Sequence, residues 1–598
     1  MLKRTLFLTL AIVVLGFGLL IAILPSPKPD TSQASSSKDG LLLQNARLFD
    51  GETTRENVDL LVRNGEIAGI GPDLDATNVQ TLDMAGKTII PGLIDAHTHT
   101  YGSALTTSLR FGVTSNLDMF MAASLFAPEK ARRNSLDPTA KADVFSATTL
   151  ATVEGGYGTQ YGFPIDTLNG PDSAPAWVDK RVEEGADYIK LVYIPRQNRI
   201  PSLDLETASA IIDAAHDSGL LVMAHISTQR AAEEMIDAGI DGLVHLFGDV
   251  EVSDAFIAKA KAADIFIIPT LAVIASVNAR GHSKVLSEDP LIAPFLLAGQ
   301  SSLLSQSFGA ANVPGYRFDL ALNNVRRLHE AGVTILAGTD APNPGTLHGA
   351  SLHQELAYYV EAGMTAEEAL ASATSKPAIR FSLPHQRGHL KQGARADFVV
   401  LNSDPLSDVS ATKDIHAIYK NGVPVERLPE TSNSNSEPMP SAIAQFDTGM
   451  DAPDGWRWMH TDDRFAGGKS EASVSFSEKD GGTLAVSAEI KSGFPFPWGG
   501  AFLTREGSDE PGSVAAYDAL EFTIRGTPGT YSVMMFTPDT TGVPPTQTFS
   551  VTEVWTKVSL PFDGFNGLDP NRLIGMAIVA GPERGDFQYQ IDNVSLAN

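Results

Sequence analysis

Ile89-Ile90-Pro91-Gly92-Leu93-Ile94-Asp95-Ala96 is an apolar, strand-like run that closes on His97-Thr98-His99. Side chains alternate along a strand, so residues at i and i+2 point the same way and both rings can grip one metal ion. Outward from it, similar short runs recur at Thr114 to Met119, Val144 to Val153, Tyr188 to Tyr193, Leu220 to Ile226, Gly242 to Leu246, Ile265 to Leu271 and Thr334 to Asp340. Helix-like segments separate most of them, such as Leu205 to Ser218, Thr228 to Ala238 and Phe318 to Ala331. Eight strand-and-helix units predict an α/β fold, a closed parallel (β/α)8 TIM barrel, over residues 91–386. Such barrels place their sites at the C-terminal ends of the strands. The fourth run holds Lys190, the fifth His225 and the sixth His245, and the eighth ends in Thr339-Asp340. Singly, a strand histidine is a satisfied structural residue and a buried lysine is paired with a carboxylate. Their order along the strands makes them a metal-ligand set whose members meet only if the barrel closes.

The flanks read differently. Leu41 to Leu48, Val58 to Arg63 and Glu66 to Ile70 alternate as short strands, with a turn at Asn64-Gly65; Ala396 to Leu401 and Ile415 to Val425 do the same, with a turn at Asn421-Gly422. They predict a small β-sandwich satellite domain built from both ends of the barrel segment, residues 40–90 and 387–428. A Pro-, Ser-, Asn- and Glu-rich stretch, placed at 429–440, reads as a linker. Residues 441–598 then carry evenly spaced alternating runs, among them Thr483 to Ile490, Ala519 to Gly526 and Trp555 to Phe562, which predict an all-β sandwich. Four of the five tryptophans lie here, at Trp456, Trp458, Trp498 and Trp555.

Composition excludes several classes. In 598 residues, 44 basic against 71 acidic side chains give a net charge of 44 − 71 = −27, which argues against nucleic acid as a partner. There is no cysteine, hence no disulfide, thiolate metal site or cysteine nucleophile. Lys3 and Arg4 precede an uncharged apolar stretch, Thr5 to Leu24, long enough to span a bilayer as a helix. No small-x-small cleavage site follows closely, which favours an uncleaved anchor over a signal peptide. The flanking positive charges keep the N-terminus cytoplasmic, so the body is expected to be exported, on a Pro- and Ser-rich tether from Pro25 to Lys38.

The segment Pro91 to His99 resembles the first-strand signature of the amidohydrolase superfamily. Gly185-Ala186-Asp187-Tyr188-Ile189-Lys190-Leu191 is similar to the fourth-strand lysine motif of its imidazolonepropionase-like and prolidase-like branch, and Ala337-Gly338-Thr339-Asp340-Ala341 to its eighth-strand aspartate. His348 to Thr374, containing Ser351-Leu352-His353-Gln354-Glu355-Leu356, resembles the segment that follows. The resemblance implies a site of two divalent ions: His97 and His99 with Asp340 at one, His225 and His245 at the other, and Lys190 bridging them as its carbamate. Zinc suits this nitrogen and oxygen set, as do Mn, Fe, Co and Ni. Asp340 would shuttle the proton between attacking water and leaving nitrogen.

The sequence departs from the branch after the third strand. Where relatives carry Gly-Gly-His-Gly, it reads Gly155-Gly156-Tyr157-Gly158, and Tyr157 donates a hydrogen bond but is no base at neutral pH. Tyr193 and Arg196 after Lys190, with His348, are the remaining substrate-binding candidates; Arg196 reads equally as a solvated loop residue. Residues 441–598, through Asp462 to Ser470, Trp555 to Phe562 and Ile591-Asp592, resemble the complex I intermediate-associated protein domain, a jelly roll related to carbohydrate-binding modules. This implies a glycan or protein partner, although the tryptophans read first as sandwich core. The expectation is an exported hydrolase of amide or other C–N bonds in dipeptides, N-acyl amino acids or cyclic amides. The alternatives are a lactone or ester hydrolase using the same site, or an inactive scaffold.

Overall fold

The strands of the barrel are short and apolar because they are buried on both faces. They are β6 (Leu93–Thr98), β7 (Val113–Asp118), β8 (Asp143–Ser146), β9 (Ile189–Val192), β10 (Val222–His225), β11 (Gly242–Val244), β12 (Phe266–Ile268) and β13 (Thr334–Ile335), numbered after five strands that precede them. The structure is a computed structural model that describes residues 40–598 apart from 160–164, 196–199, 279–285, 309–316, 428–437, 448, 466–468, 479–481, 492–496, 506–510 and 538–543. β6 to β8 pair in parallel, as do β9 to β13. Parallel bridges between Ala151 and Leu191 and between Thr98 and Ala341 join the two sets into a ring. Ile94, Leu117, Phe145, Tyr188, Met223, Val244, Phe266 and Leu336 belong to one buried cluster that fills its interior, each from a different strand or its flank.

Several runs end sooner than the sequence suggests. Ile89 to Ala96 is two strands in two sheets, because the chain turns at Gly92, where a Cβ would lie 2.2 Å from Thr114 Oγ1. The third run stops at Ser146, and Thr148 is left-handed (φ 54°). The seventh stops at Ile268, and Leu271 already starts the helix Leu271–Val277. The eighth is a two-residue strand whose continuation is held by β6, through Ala96 N to Ala337 O and Asp340 N to His97 O, both 2.8 Å.

The satellite contains β1 (Leu41–Phe49), β2 (Thr54–Arg63), β3 (Glu66–Ile70), β4 (Gln80–Asp83) and β5 (Thr88–Pro91), with β14 (Phe398–Leu401), β15 (Ile415–Lys420) and β16 (Val423–Pro424). Hydrogen bonds link all eight into one sheet, β16-β15-β14-β5-β1-β2-β3 with β4 also on β1, in place of the two sheets expected of a sandwich. The reason is β5, which pairs with β1 on one side and with β14 on the other, splicing the two flanks together. A buried ionic knot ties this sheet to the barrel. Asp143 at the start of β8 accepts from Lys420 Nζ (2.8 Å) and Arg387 Nε (3.0 Å), and Lys420 also reaches Asp397. Burial alone would raise the Asp143 carboxyl, but Lys420, Arg387 and Arg395 hold it well below the usual carboxylate range.

The C-terminal strands form two sheets. One has β19 (Glu471–Ser477), β20 (Thr483–Ile490), β27 (Gly585–Ala597), β22 (Ala519–Gly526) and β25 (Thr556–Pro561) in that order, with β17 (Ala442–Ala444) also on β27. The other runs β18 (Trp456–Asp462), β21 (Gly499–Arg505), β26 (Gly575–Ala580), β23 (Gly529–Phe536) and β24 (Thr546–Val551). Their apolar faces share a core separate from that of the barrel. Trp456, Trp458 and Trp498 are buried, whereas Trp555 is 37% exposed and lies under the Arg525 guanidinium, 4.9 Å from its ring centre. Among the described residues no helix is long and apolar enough to cross a membrane; the expected anchor, Thr5 to Leu24, and its tether lie outside the described residues.

Removing the carboxylate of the knot should be costly. Asp143→Ala leaves Arg387 buried without a carboxylate and Lys420 with Asp397 alone, and should destabilise the protein by about 3–5 kcal/mol. A denaturant midpoint unchanged from wild type would contradict this.

Candidate metal centre

The C-terminal ends of the barrel strands bring the sequence candidates together. His97, on β6, is 1% exposed, and His99 follows just past the strand end. Asp340 Oδ1 lies 3.2 Å from His97 Nε2 and 3.0 Å from His99 Nε2. His225 shares the inward face of β10 with Met223. Its ring centre is 4.4 Å from that of His245, which is 4.9 Å from that of His97. Val244 already points inward, so strict alternation would turn His245 outward; its left-handed backbone (φ 64°) brings the ring back to the cluster. Asp340 (φ 59°) and Thr270 (φ 54°) are left-handed too, strained positions concentrated where the ligands gather. Gly338 permits the closest approach, since a Cβ there would lie 2.8 Å from both Cβ and N of His97.

Burial sets the charge states. It pushes His97 and His225 down to about 3, with the nearby Lys190 amine adding to the effect, and His245 well below its usual value. These rings are therefore neutral, the form that ligates metals. Burial also lowers Lys190 to about 7, against the opposing pull of Asp340 and Asp118. Asp340 would be raised by burial, but the facing His97 ring, the His99 hydrogen bond and the His245 ring hold it well below the carboxylate range.

A metal ion fits this site. His97, His245 and Asp340 each offer a ligand atom within 4.8 Å of the others. Nδ1 of His97 is buried without a hydrogen-bond partner among the described residues, and its Nε2 faces only the Asp340 carboxylate, a donor set that suits a cation. This trio mixes residues that the resemblance divides between two ions.

The substrate-binding candidates fare differently. Tyr157 is half-buried with its ring 5.1 Å from that of His225, at the edge of the cluster. Tyr193 belongs elsewhere. Lys190 points inward, so Ile189, Leu191 and Tyr193 point outward into the core under the helices, and the Tyr193 hydroxyl donates to Glu234 (2.6 Å). His348 is buried, and its Nε2 donates to the His99 carbonyl (3.0 Å), so it supports the end of β6. Arg196 lies outside the described residues.

Four supporting residues escaped the sequence reading. Asp95 receives Thr339 N and Oγ1 at 3.0 and 2.7 Å. Asp118, at the end of β7, receives Thr100 Oγ1, Phe120 N and Ser146 Oγ. Thr270 meets His245 Nδ1 at 2.7 Å. Glu355 is fully buried, and burial pushes its carboxyl up to about 8 against the pull of the Leu271 and Ala272 amides. One signal was available for Glu355: it interrupts an apolar helical stripe of Leu352, Leu356 and Tyr359.

Residues 179–425 match the amidohydrolase family, and residues 445–570 match complex I intermediate-associated protein 30. The chain carries an amidohydrolase-family domain at residues 179–425. An imidazolonepropionase from Deinococcus radiodurans is 25% identical over 421 residues, 67% of this chain and 96% of that protein. Among solved structures, an Xaa-Pro dipeptidase with bound methionine superposes with a TM-score of 0.53 at 20% identity, over 65% of this chain and all of that one. A prolidase complexed with N-methylphosphonate-L-proline gives 0.52 at 21%, over 65% and 100%. These two likenesses establish the fold. With this domain and these relatives, the chain is a hydrolase acting on carbon–nitrogen bonds.

Two outcomes follow from the geometry. Gly338→Ala should push His97 out of place, costing about 1–3 kcal/mol of stability and lowering metal content; full metal loading in that variant would refute the close-approach argument. The buried rings also fix a pH dependence. His97 and His225 stay neutral in the fold down to about pH 3, whereas in the unfolded chain they take up protons near 6.5. Protons therefore favour unfolding below about pH 6.5, by about 2 kcal/mol per ring at about pH 5. The melting temperature of metal-free protein should fall across that window; a flat profile would mean the rings are charged in the fold.

Proposed function

We propose that this amidohydrolase is metal-dependent and cleaves the amide bond of small molecules, of the dipeptide, N-acyl amino acid or cyclic amide class. The observation that carries the reading is the convergence of four imidazoles, Lys190 and Asp340 at one mouth of the barrel. His97, His99 and Asp340 would hold one ion and His225 and His245 a second, zinc suiting both. A metal ion there supplies Lewis acidity, which acidifies water from about 15.7 towards 7 and polarises a carbonyl.

The chain's own residues do the rest. Lys190, whose amine burial brings down to about 7 so that its neutral form is plentiful at neutral pH, adds carbon dioxide through Nζ and loses a proton, giving an anionic carbamate that offers two oxygens to the site. Asp340 Oδ1, facing His97 and His99, takes the proton of the attacking water and passes it to the leaving nitrogen. Tyr157, beside His225, offers its hydroxyl as a donor to the substrate.

The apolar run behind Lys3 and Arg4 supports a second element of the proposal, that the enzyme works outside the cytoplasm on a membrane anchor. A third is that the sandwich binds a glycan. A groove of about 670 Å³ crosses the outer face of one of its sheets, lined by Ser473, Ser487, Arg525, Gln588 and Gln590, a hydrogen-bonding floor suited to hydroxyl groups.

Purified protein assayed on amides, esters and lactones tests the central reading. Amide hydrolysis should disappear on chelation and return with Zn²⁺. Lys190→Ala should lose a metal and most activity, and Lys190→Glu should keep metal better than Lys190→Met. Ester or lactone cleavage alone would overturn the substrate class, and full activity without metal would overturn the mechanism.

A further inference from the structure

The helix Leu271–Val277 begins in an unusual way. Thr270 occupies its N-cap position, where a threonine hydroxyl ordinarily accepts from a backbone amide of the first turn. Here the hydroxyl makes no such bond. Thr270 is left-handed (φ 54°, ψ 49°) and its Oγ1 meets His245 Nδ1 at 2.7 Å. The amides are satisfied from elsewhere: Glu355, on the helix Ala350–Glu361, accepts Leu271 N on Oε1 (2.8 Å) and Ala272 N on Oε2 (2.6 Å). Thr270 and Glu355 are both fully buried. Leu246 N to Pro269 O, at 3.2 Å, holds the two strand ends side by side. One turn beyond Glu355, the Tyr359 hydroxyl donates to the Leu336 carbonyl (2.9 Å) and fastens the same helix to the eighth strand.

We propose that Glu355 and Thr270 form one positioning device for His245: the Glu355 carboxyl oxygens take over the cap of helix Leu271–Val277 and so free the Thr270 hydroxyl to fix the ring. With the Nδ1 hydrogen donated to Thr270 Oγ1, His245 presents the lone pair of Nε2 to the cluster of His97 and Asp340. A hydroxyl left to cap its own helix would let the ring rotate and choose either tautomer. Partners behind a ligating histidine of this kind typically govern metal affinity by 10–100-fold. The device rests on the metal-binding reading above and adds two residues that touch neither metal nor substrate.

The test uses the whole protein and Zn²⁺ alone as probe. Affinity is measured by competition with a chromophoric chelator, beside thermal melts of the metal-free forms. Thr270→Val, which keeps the side-chain shape without the hydroxyl, should weaken Zn²⁺ binding by about 10–100-fold. Thr270→Ser should stay within a few-fold of wild type. Glu355→Gln sets an amide N–H against a backbone N–H and should weaken binding too. The Thr270→Val/Glu355→Gln pair should be no weaker than the poorer single variant, because both cut the same chain. Wild-type affinity in Thr270→Val, or losses in the pair that multiply, overturns the device. A Glu355→Gln protein that melts lower but binds Zn²⁺ normally removes Glu355 from it. Should Glu355→Gln not fold, the contrast between Thr270→Val and Thr270→Ser decides alone. Failure of wild type to bind Zn²⁺ overturns the metal reading itself.

Discussion

The seam where the last barrel strand meets the first is the constraint on which the site depends. β13 is two residues long, yet the chain beyond it stays locked to β6 through Ala96 to Ala337, His97 to Asp340 and His99 to Ala341. Asp95 ties the seam from inside, accepting Thr339 through both its amide and its hydroxyl. Burial pushes this carboxyl up to about 7, against the pull of those hydrogen bonds, so closure holds a group that is expensive to bury. In return His97 and His99 face Asp340, a residue more than two hundred positions away. Gly338 is needed here for a physical reason, as any side chain would occupy the space of His97.

Order and strain are divided between the two ends of the barrel. At the starts of the strands, Asp143 gathers Lys420 and Arg387 into a knot that fastens the satellite sheet. At their C-terminal ends, His245, Thr270 and Asp340 take left-handed backbones, each held by neighbours that over-determine it. A site built this way is assembled before any ligand arrives, which is what metal binding by neutral buried rings requires. The sandwich has an apolar core of its own.

The sequence was legible where one residue's direction follows from strand period. Lys190 and His225 point inward because their strands alternate, each two residues after an interior residue, Tyr188 and Met223, and the structure gathers them with His97, His245 and Asp340. The same rule, applied one step further, places Tyr193 outside the ring with Ile189 and Leu191. What sequence could not supply was tertiary. The break of Ile89 to Ala96 at Gly92 depends on Thr114 lying against it, and the merging of the satellite into one sheet depends on β5 reaching β14. The reversal at His245 depends on its backbone turn, and the roles of Thr270 and Glu355 depend on two helices meeting end to side. No local pattern encodes such meetings.

Anomalous diffraction from a crystal of the Zn²⁺-loaded protein tests the account most directly. It predicts scattering peaks within bonding distance of His97, His99, His225, His245 and Asp340, with extra density beyond Lys190 Nζ between them. A metal-saturated crystal whose peaks lie away from the barrel mouth, or whose Lys190 density ends at the amine with two ions present, would contradict it.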